Sequence, residues 1–504
     1  MAPLHTRSLL TYVALFLIIF PSAIGQSVPS WTDWDGLQTC QPNEFFDSFS
    51  TEEEIVSFLR KKSHSQVKTV GAGHSFSAIT LTDSSSSGTA MIKLDSYSGI
   101  VGVTPNPDGT SSVEVKSGTR LHDLNTLLEE QVRQSEGWSE ATANELYRLP
   151  TQLKTLPTLA SLAPFHSSLR SSPPSTQGLA LPNLGATAAQ SIAGAISTST
   201  HGTGRELGSI SSDVTGIRLI DADGNVHDSR EDSDVLLFGR VSLGVLGVIS
   251  TVTVKAVPIF KMRLSKFDVP LSELLTNHEQ YYDNYTRFQW SFVPYTDTAT
   301  VLLREPVDWN TPITDCWAGS VVYPCVDVSY KTLVDSLERY DNRTLYTEME
   351  MFVDVENVLP AVSDFIEFQA SIKDSHDGSV CSLFTNIRYV AKDDIPTSPM
   401  YQRDIAVLSF ICLGTQDHTG DPEEFERYAS GLEGIASEKY NGVPHWGKQN
   451  YATHEDISAF YKDLDSFNAF RAKIDPNGIF LNEYTRTRLG IDGIDASVVK
   501  QNYL

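Results

Sequence analysis

Residues 178–204 are rich in Gly, Ala, Ser and Thr, and this stretch constrains the fold of the chain more than any other. Small side chains over such a length allow the backbone to approach a ligand or a neighbouring element closely. The stretch ends in a glycine turn, Thr200–Gly204, and an earlier glycine turn, Gly71–Ser75, directly follows a short predicted strand at 68–70. Successive backbone amides in such turns can bind an anion such as a pyrophosphate. One turn alone is more typical of an ordinary loop, but two of them in a strand-rich region favour a bound nucleotide.

The earlier turn matches neither of two familiar nucleotide-binding motifs. The third glycine of the Rossmann fingerprint is absent, and Phe76 occupies the next position after Ser75. A P-loop is excluded because no Gly-Lys-Ser/Thr sequence follows the turn. If a nucleotide binds here, it binds to another kind of fold.

Length and charge set further limits. The chain has 504 residues, of which 40% are hydrophobic, which suggests about three domains or two large ones. This composition excludes a mainly disordered chain, a collagen and a disulfide-dense miniprotein. Lys and Arg number 38 against 63 Asp and Glu, so the formal charge is −25. Because such a surface repels phosphate backbones, we expect no nucleic-acid partner.

The first 25 residues have the features of a secretory signal. Arg7 precedes an apolar run from Leu9 to Phe20, and Ala23-Ile24-Gly25 offers the small residues of a cleavage site. The run is short for a membrane span, although an uncleaved anchor is the alternative. We therefore predict a secreted protein without stable membrane insertion after cleavage.

Five cysteines follow this signal, and pairing is the usual state of cysteine in secreted proteins. Cys316 and Cys325 lie close together and are the first expected pair. Cys381 and Cys412 could form a second pair, which would leave Cys40 free. Two glycosylation sequons, at Asn284 and Asn342, are consistent with a secreted glycoprotein.

Strand and helix signals alternate up to about residue 258. Thr51–Glu54 has the pattern of a capping box and predicts the start of a helix. Residues 131–177 interrupt the alternation and are interpreted as an inserted loop, with an ordered lid as the alternative. Beyond 258, aromatic residues increase and the signals mix, which indicates an α+β region. We predict a first domain over 40–258, a second over 259–440 and a C-terminal segment over 441–504.

Four segments resemble the vanillyl-alcohol-oxidase superfamily, most closely its branch of sugar-lactone and alditol oxidases, which includes gulonolactone and D-arabinono-1,4-lactone oxidases. They are Gly71–Ser77, Pro182–Gly185 with Ser197–Gly204, Gly244–Ile249 and Pro444–Lys448. The last segment is quite specific for the branch, whereas the first two are general to the superfamily. The resemblance implies an α+β fold, with a two-part PCMH-type FAD-binding domain and an α+β cap domain that contacts substrate. Residues 131–177 look like an insertion that the family usually lacks.

The resemblance also implies a covalently bound FAD. In the family, the histidine of the first glycine turn is bonded to the flavin 8α-methyl group, and His74 occupies that place. The alternative is an unbonded histidine beside the flavin ring. The other positions that the family motifs assign to FAD are Thr69, Val70, Gly71, Ala72, Gly73, Ser75, Gly185, Ala186, Ser191, Gly194, Thr198, Ser199, Thr200, His201, Val248 and His445. No metal is implied.

On the substrate side, Lys448 matches a family lysine that can hydrogen-bond a substrate hydroxyl. Arg388 matches the arginine of a Glu-x-Arg pair, and its guanidinium suits polarisation of a hydroxyl or lactone carbonyl. The family glutamate is replaced by Asn386, whose amide cannot act as a base. If catalysis survives, Lys448 or a water must carry the proton. Gly185 aligns with a position over the flavin where a missing methyl group leaves room for O₂; the alternative is a glycine retained for turn geometry.

These features imply a secreted FAD-dependent oxidase. Its substrate would be a sugar lactone, sugar or polyol, oxidised at a CH–OH group by hydride transfer to flavin N5, with O₂ reduced to H₂O₂. Two alternatives stay open. One is a dehydrogenase of the same fold that uses a quinone or protein acceptor. The other is a carbohydrate-binding flavoprotein that has lost turnover, an alternative motivated by Asn386.

Overall fold

The structure is a computed structural model that describes residues 29–84, 86–131, 178–317, 321–334, 346–375, 382–413 and 422–491. The predicted signal lies outside the described residues. So do positions 132–177 of the predicted insertion, together with Cys381 and Asn342.

The part of the chain up to Pro258, here called the N-terminal part, contains three sheets. Its strands are β1 (Trp31–Thr32), β2 (Thr39–Cys40), β3 (Glu44–Phe46), β4 (Gln66–Val70), β5 (Thr89–Lys93), β6 (Ile100–Pro105), β7 (Ser111–Lys116), β8 (Leu179–Ala180), β9 (Val214–Ile220), β10 (Val226–Asp228) and β11 (Val248–Pro258). β1 pairs with β2, and β3-β5-β4 form a parallel sheet. The remaining strands form an antiparallel sheet in the order β10-β9-β11-β7-β6, with β8 beside β11.

Helices cover these sheets. They are α1 (Glu52–Arg60), α2 (Leu121–Glu130), α3 (Ile192–Ser197) and α4 (Ser233–Gly239), with short 3₁₀ helices at Ala78–Thr80 and Ile210–Asp213. The capping box predicted at Thr51 is confirmed, because its side chain accepts from Glu54 N while Glu54 bonds back to the cap. The buried face of α1, Ile55, Phe58 and Leu59, packs on the parallel sheet. The two-part α+β arrangement implied by the sequence is therefore present.

The chain then enters an eight-stranded antiparallel sheet, here called the cap sheet. Its strands are β12 (Lys261–Val269), β13 (Arg287–Phe292), β14 (Ala299–Val307), β15 (Cys325–Val328), β16 (Tyr346–Asp354), β17 (Ser382–Val390), β18 (Ile405–Leu413) and β19 (Val443–Pro444). The strand order is β15-β12-β14-β13-β17-β18-β16-β19. The associated helices are α5 (Leu271–Asn284), α6 (Ser329–Leu333), α7 (Val358–Ser375) and α8 (Pro422–Tyr440), with a 3₁₀ helix at Val355–Asn357.

The two faces of the cap sheet have different surroundings. Alternation along β16 places Met349, Met351 and Val353 in a core shared with α7 and α8. Phe352 points the other way and belongs to the large core of the N-terminal part. Because side chains alternate across a strand, Glu348 and Glu350 face the N-terminal part together with Phe352.

The last helices return to the N-terminal part. They are α9 (His454–Phe460), α10 (Leu464–Ile474) and α11 (Glu483–Leu489). On α10, Phe467 and Phe470 pack against Phe238, with ring centroids 6.0 and 5.3 Å apart. The buried Lys68 ammonium donates to Phe480 O at 3.0 Å, which ties β4 to the segment after α10.

The cysteines follow the expected pattern where they are described. Cys316 and Cys325 form a disulfide, as predicted, and Cys40 is a buried free thiol. Cys412 is also disulfide-bonded, while Cys381, its predicted partner, lies outside the described residues. Among the helices that the structure describes, none has both the length and the apolar character of a membrane span.

Candidate active site

A cavity of about 940 Å³ opens along the glycine turn after β4. Its walls come from the turn itself, from Ser117 and Gly118 before α2, from α3 and from the segment before β11. Predicted FAD-contacting residues that line it are Thr69, Val70, Gly71, Ala72, Gly73, His74, Ser75, Ser191, Gly194 and Thr198. The structure therefore brings together two stretches that lie far apart in the sequence.

The cavity depends on missing side chains. A Cβ atom on Gly71 would lie 2.6 Å from Ser191 Oγ, and one on Gly194 would lie 3.0 Å from the same atom. Gly118, also in the wall, leaves still less room, because its Cβ would lie 1.7 Å from Leu94 O. The missing side chains therefore let neighbouring wall segments approach one another closely around the cavity.

Polar atoms point into this narrow space. Within the described part of the chain, Thr69 Oγ1, Ser117 Oγ and Gln190 Oε1 are buried and have no hydrogen-bond partner in the protein, and all three residues line the cavity. Buried polar atoms are normally satisfied, so such a cluster indicates a polar ligand. A glycine-lined cleft with backbone amides and unsatisfied side chains fits a dinucleotide cofactor such as FAD.

His74 lies at the mouth of the turn in an enclosed position. Its ring stacks on Trp34 with centroids 4.9 Å apart, and Trp34 N donates to Gly73 O at 2.9 Å. Burial, assisted by the charges of Lys448 and Arg120, lowers the pKa of His74 to about 3. The imidazole is therefore neutral near pH 7 and retains a nucleophilic lone pair.

Two acidic residues flank Trp34. Asp33 Oδ1 accepts from Gly36 N and Gln38 N, and Asp35 Oδ1 accepts from Leu37 N. Burial and the neighbouring charge of Asp35 raise the pKa of Asp33 to about 9, and burial also raises the pKa of Asp35. The raised pKa values favour the protonated forms, so this pair carries less negative charge than two solvated carboxylates would.

The segment Pro444–Lys448 connects the cap sheet to the histidine turn. It runs along β16, where His445 N donates to Glu350 O at 3.0 Å and Gln449 N to Glu348 O at 3.1 Å. On its other side, Phe76 N donates to Gly447 O at 2.8 Å, and Ser77 Oγ donates to Trp446 O at 2.7 Å. These hydrogen bonds hold Lys448 and His74 in one site.

Lys448 lies among acidic side chains. Its ammonium donates to Glu348 Oε2 at 2.5 Å and sits 4.5 Å from the centre of the Phe76 ring. Glu350 and Asp35 are close enough for the Lys448 charge to affect both carboxyl groups. The half-buried Lys448 ammonium thus interacts with three carboxyl groups.

His201, Glu350 and His445 form a second buried cluster, with one ligand atom of each within 4.8 Å of the others. His201 Nδ1 lies 3.0 Å from Gly202 O, and its Nε2 lies 3.5 Å from Glu350 Oε2. His445 Nδ1 accepts from Gly447 N at 2.9 Å, which leaves the proton of the neutral ring on Nε2. A protonated Nε2 cannot ligate a metal, so these positions favour a hydrogen-bonded network.

Charge within this network is set by contacts. Although burial alone would raise it, the pKa of Glu350 is held well below its ordinary value by His201 and Lys448. Ser409 Oγ stabilises the ionised form of Glu350 by donating a hydrogen bond to its Oε1 atom at 2.7 Å. Burial lowers the pKa of His445 to about 3, so this ring is neutral. Glu350 is therefore a buried carboxylate beside the segment that carries Lys448.

Arg388 and Asn386 face the same side of the cap sheet. With its oxygen turned toward Arg388, the Asn386 amide accepts from Arg388 Nε at 3.2 Å and donates to Trp290 O at 3.2 Å. Asn386 pairs with Ser409, and Ser409 pairs with Glu350, across β17, β18 and β16. Arg388 also lines a cavity of about 210 Å³, together with Gly185 and Ala186.

The remaining predicted residues have other surroundings. Ser199 is buried with φ +62°, and Thr200 Oγ1 accepts from Gln190 Nε2 at 3.1 Å. The Val248 side chain packs in a core with Ile220, whereas its neighbours Gly247 and Ile249 line the large cavity.

Comparisons with known proteins agree with this architecture. A profile of the D-arabinono-1,4-lactone oxidase family matches residues 326–488. L-gulono-1,4-lactone dehydrogenase of Mycobacterium tuberculosis is 28% identical over 495 residues, covering 92% of this chain and 99% of the relative. L-gulonolactone oxidase of Mus musculus is 25% identical, covering 90% and 96%. A solvent-stable cholesterol oxidase superposes with a TM-score of 0.67 at 15% identity, covering 92% and 97%.

These matches confirm the resemblance to the vanillyl-alcohol-oxidase superfamily, in its branch of sugar-lactone and alditol oxidases. The PCMH-type fold expected from the sequence is confirmed by the cholesterol oxidase likeness. The comparisons support a flavin-dependent oxidoreductase, and the glycine-lined cavity with its unsatisfied polar atoms is compatible with such a cofactor.

Sequence reasoning missed part of this candidate site. Asp33, Trp34 and Asp35 precede the predicted domain start at residue 40, and nothing in their pattern indicated a contact with His74. Glu348 and Glu350 were detectable in principle, because acids alternating with Met349 and Met351 indicate a strand with one acidic face. In the structure, this acidic face of β16 lies against Lys448, which hydrogen-bonds Glu348.

Proposed function

We propose that the protein is a secreted FAD-dependent oxidase that oxidises a CH–OH group of a sugar lactone, sugar or polyol and reduces O₂ to H₂O₂. The names of its relatives support the substrate class. The observation that carries the proposal is the junction of the His74 turn with the Lys448 segment through the Phe76 N to Gly447 O hydrogen bond. It supports the proposal because it brings the His74 turn and Lys448, the expected cofactor-binding and substrate-binding groups, into one site.

We assign FAD to the large cavity, in a first domain that spans residues 40–258. When bound, FAD supplies the hydride acceptor at N5. Thr69–Ser75 and α3 would hold its polar chain, and His74 would form the covalent bond to the 8α-methyl group. The low pKa of His74 supports this assignment, since a neutral imidazole is the nucleophilic form.

Arg388, Lys448 and Asn386 are the proposed substrate contacts, carried by the cap region 259–440 and by the segment 441–504. The Arg388 guanidinium would polarise the substrate oxygen, and the Lys448 ammonium would donate a hydrogen bond to the reacting hydroxyl. The Asn386 amide would donate or accept a hydrogen bond without taking a proton. These groups orient the carbon that loses hydride.

Oxygen as acceptor is the finer part of the proposal. The resemblance supports it through Gly185, which lines the smaller cavity together with Ala186 and Arg388. A dehydrogenase that uses a quinone or protein acceptor is the competing function, and the mycobacterial relative carries a dehydrogenase name. Oxygen uptake measured against dye reduction with the same lactone separates the two.

Secretion is proposed from the signal-like residues 1–25. The Cys316–Cys325 disulfide supports it, because such bonds persist in oxidising compartments. Asn284, at the end of α5, is the proposed glycosylation site within the described residues. Culture supernatant tested for the mature chain, starting at Gln26, decides this point.

The central experiment is anaerobic mixing of the purified protein with D-arabinono-1,4-lactone, L-gulono-1,4-lactone and a panel of polyols. We expect the flavin absorbance to bleach with at least one of them and to recover on admission of O₂, with H₂O₂ released. A protein that binds lactone without bleaching would instead be a carbohydrate-binding flavoprotein, the function that Asn386 favours. A colourless protein after refolding with FAD would exclude both.

A further inference from the structure

Removal of hydride from a CH–OH group also releases the hydroxyl proton, and the site must contain a group that accepts it. Asn386 cannot do so, because an amide is not a base at neutral pH. The Arg388 guanidinium stays protonated in proteins. Lys448, as the ammonium that donates to Glu348, has no lone pair in that state. The acceptor must therefore be sought among the buried carboxyl groups.

The acidic groups around Lys448 differ in what they already bind. Glu350 interacts with His201 and accepts from Ser409, so its charged form is strongly stabilised. Asp33 and Asp35 are buried carboxyl groups with raised pKa values, and each accepts hydrogen bonds from backbone amides of residues 36–38. Glu348 has its Oε2 atom 2.5 Å from Lys448 Nζ, the shortest path from any of these carboxylates to the proposed substrate contact. Geometry thus selects Glu348.

We propose that Glu348 is the proton acceptor of the oxidation and that it acts through Lys448; this rests on the proposed function above. A proton first moves along the short hydrogen bond from Lys448 Nζ to Glu348 Oε2, which leaves a neutral amine and a carboxylic acid. The amine would then take the hydroxyl proton, and the hydride of the C–H bond would leave to the two-electron acceptor that bound FAD supplies. The products would be the oxidised carbon, an ammonium, a protonated Glu348 and the anionic reduced acceptor, so charge and protons balance.

The surroundings of Glu348 suit this role. Burial, reinforced by the charge of Glu350, raises its pKa, while Lys448 and Arg388 lower it in part. Asp35 faces the same ammonium from the N-terminal segment, and His201 and His445 face Glu350. A buried carboxylate with a raised pKa has more affinity for a proton than a solvated one, and a proton acceptor needs that affinity. Glu348 thus holds the released proton and acts through Lys448 without contacting the substrate itself.

The test is Glu348→Gln, measured as the rate of anaerobic flavin reduction by the best lactone across pH 4–9. General acid–base groups contribute about 10²–10⁴-fold, so we expect a loss of about 10²–10³-fold. In the wild type, the rate should fall as pH drops through the Glu348 pKa, because the acceptor must be ionised. In the variant, this acidic limb should disappear. A lower rate that keeps the limb would mean that Glu348 merely orients Lys448, and the proposal would be wrong.

Two further variants keep the result interpretable. Glu52→Gln is the matched control, because Glu52 also accepts from a cation, Arg218 Nε at 2.7 Å, but lies outside the site; its rate and pH profile should equal those of the wild type. Glu348→Asp keeps a carboxylate one methylene further from Lys448, so the limb should persist with a loss of about tenfold. A limb lost in Glu348→Asp, or an unchanged rate, contradicts the relay even if Glu348→Gln fails to fold.

The two levels of proposal fail differently. If the wild type is bleached by no lactone or polyol, the proposed function is wrong. If the wild type is bleached and Glu348→Gln matches it, the function stands and the relay is wrong. The double variant Glu348→Gln with Asn386→Glu gives a third check, because it places a carboxylate beside Arg388. Its flavin-reduction rate should be at least about tenfold higher than that of Glu348→Gln alone. An equal rate would argue that the reaction does not need a carboxylate as proton acceptor.

Discussion

The two sides of the candidate site are built from different parts of the polypeptide. The cofactor side is a cradle of backbone and small residues, in which Gly71, Gly118 and Gly194 leave no room for a Cβ atom. The cap side consists of long charged side chains on a sheet face, with Glu348 and Glu350 on β16 directed at Lys448. The cofactor side can therefore select its ligand by shape, whereas the cap side can act on a substrate through charged groups.

This difference shows why the two sides tolerate change differently. A backbone cradle is preserved as long as its glycines remain, whatever happens to charges elsewhere. The cap side depends on compensation, since removing one partner of a buried ion pair leaves the other charge exposed to an apolar environment. Variants on the cap side should therefore affect rate with the flavin retained, and variants on the cradle side should affect the flavin itself.

The largest expected effect is on the cap side. Lys448→Met removes the proposed hydroxyl contact, and we expect flavin reduction to slow by about 10³-fold while the flavin absorbance per protein stays unchanged. Stopped-flow reduction by a lactone measures the first quantity, and the visible spectrum measures the second. Lys473→Met is the control, because Lys473 forms an exposed ion pair with Asp232 at 3.4 Å. Loss of flavin in Lys448→Met alone would contradict the separation of the two sides.

The second prediction concerns the cradle side. His74→Ala removes the proposed covalent bond, so acid precipitation should release all of the yellow colour, whereas the wild-type pellet should retain it. We also expect the equilibrium of flavin reduction to become less favourable, by about tenfold for every 30 mV by which the two-electron potential falls. Absorbance of pellet and supernatant tests the bond. Colour that washes out of the wild type as well would mean that FAD is held without it.

Much of the cradle side could be predicted from the sequence, because its signals are local. A strand followed by Gly71-Ala72-Gly73-His74 and the small-residue stretch 178–204 both indicate close backbone approach, and both line the same cavity. The Thr51 capping box was readable for the same reason. Local chemistry of this kind does not depend on which other elements the chain packs against.

The cap side could not be predicted to the same extent, because sheet register creates it. Asn386, Ser409 and Glu350 are neighbours only after β17, β18 and β16 pair in the observed alignment. A one-residue shift of any one of these strands would turn its own residue to the opposite face and break the set. Lys448 and Arg388 were identified through family motifs, whereas Glu348 belonged to no motif and emerged from the geometry.

The third prediction addresses the boundary between the two sides. Gly185→Ala would place a Cβ atom 2.8 Å from Thr200 Cγ2, so it is best combined with Thr200→Ser, which removes that methyl group. If Gly185 admits O₂, the double variant should react with O₂ about tenfold more slowly, since one methyl group in a tight site is worth about that much, and lactone reduction should be unchanged. Thr200→Ser alone is the control. Equal oxygen rates in both proteins would remove Gly185 as a reason to favour an oxidase.

The smallest effect on the reaction is expected from a cap carboxyl group that faces away from the site. Glu433 on α8 accepts from Tyr451 N at 2.9 and 3.1 Å, and burial raises its pKa from 4.5 to about 7. The folded protein thus holds a proton that the unfolded chain releases. This contribution to stability is fully present below pH 4.5 and is lost as pH rises through 7.

As the pH rises from 5 to 8, the wild type should lose about 2.5 kcal/mol of unfolding free energy because Glu433 gives up its proton in the folded state. The Glu433→Gln side chain cannot titrate, so the unfolding free energy of the variant should fall by about 2.5 kcal/mol less than that of the wild type over the same pH range. The rate of flavin reduction by lactone should be unchanged. Urea unfolding of both flavin-loaded proteins at the two pH values measures the difference, and other buried acids cancel because both proteins carry them. Identical pH slopes would show that Glu433 is ionised in the folded state. A changed reduction rate would mean that the charge of Glu433 affects the reaction, although Glu433 is on α8. The effects of charge would then not be confined to the face of the cap sheet that carries Glu348 and Glu350.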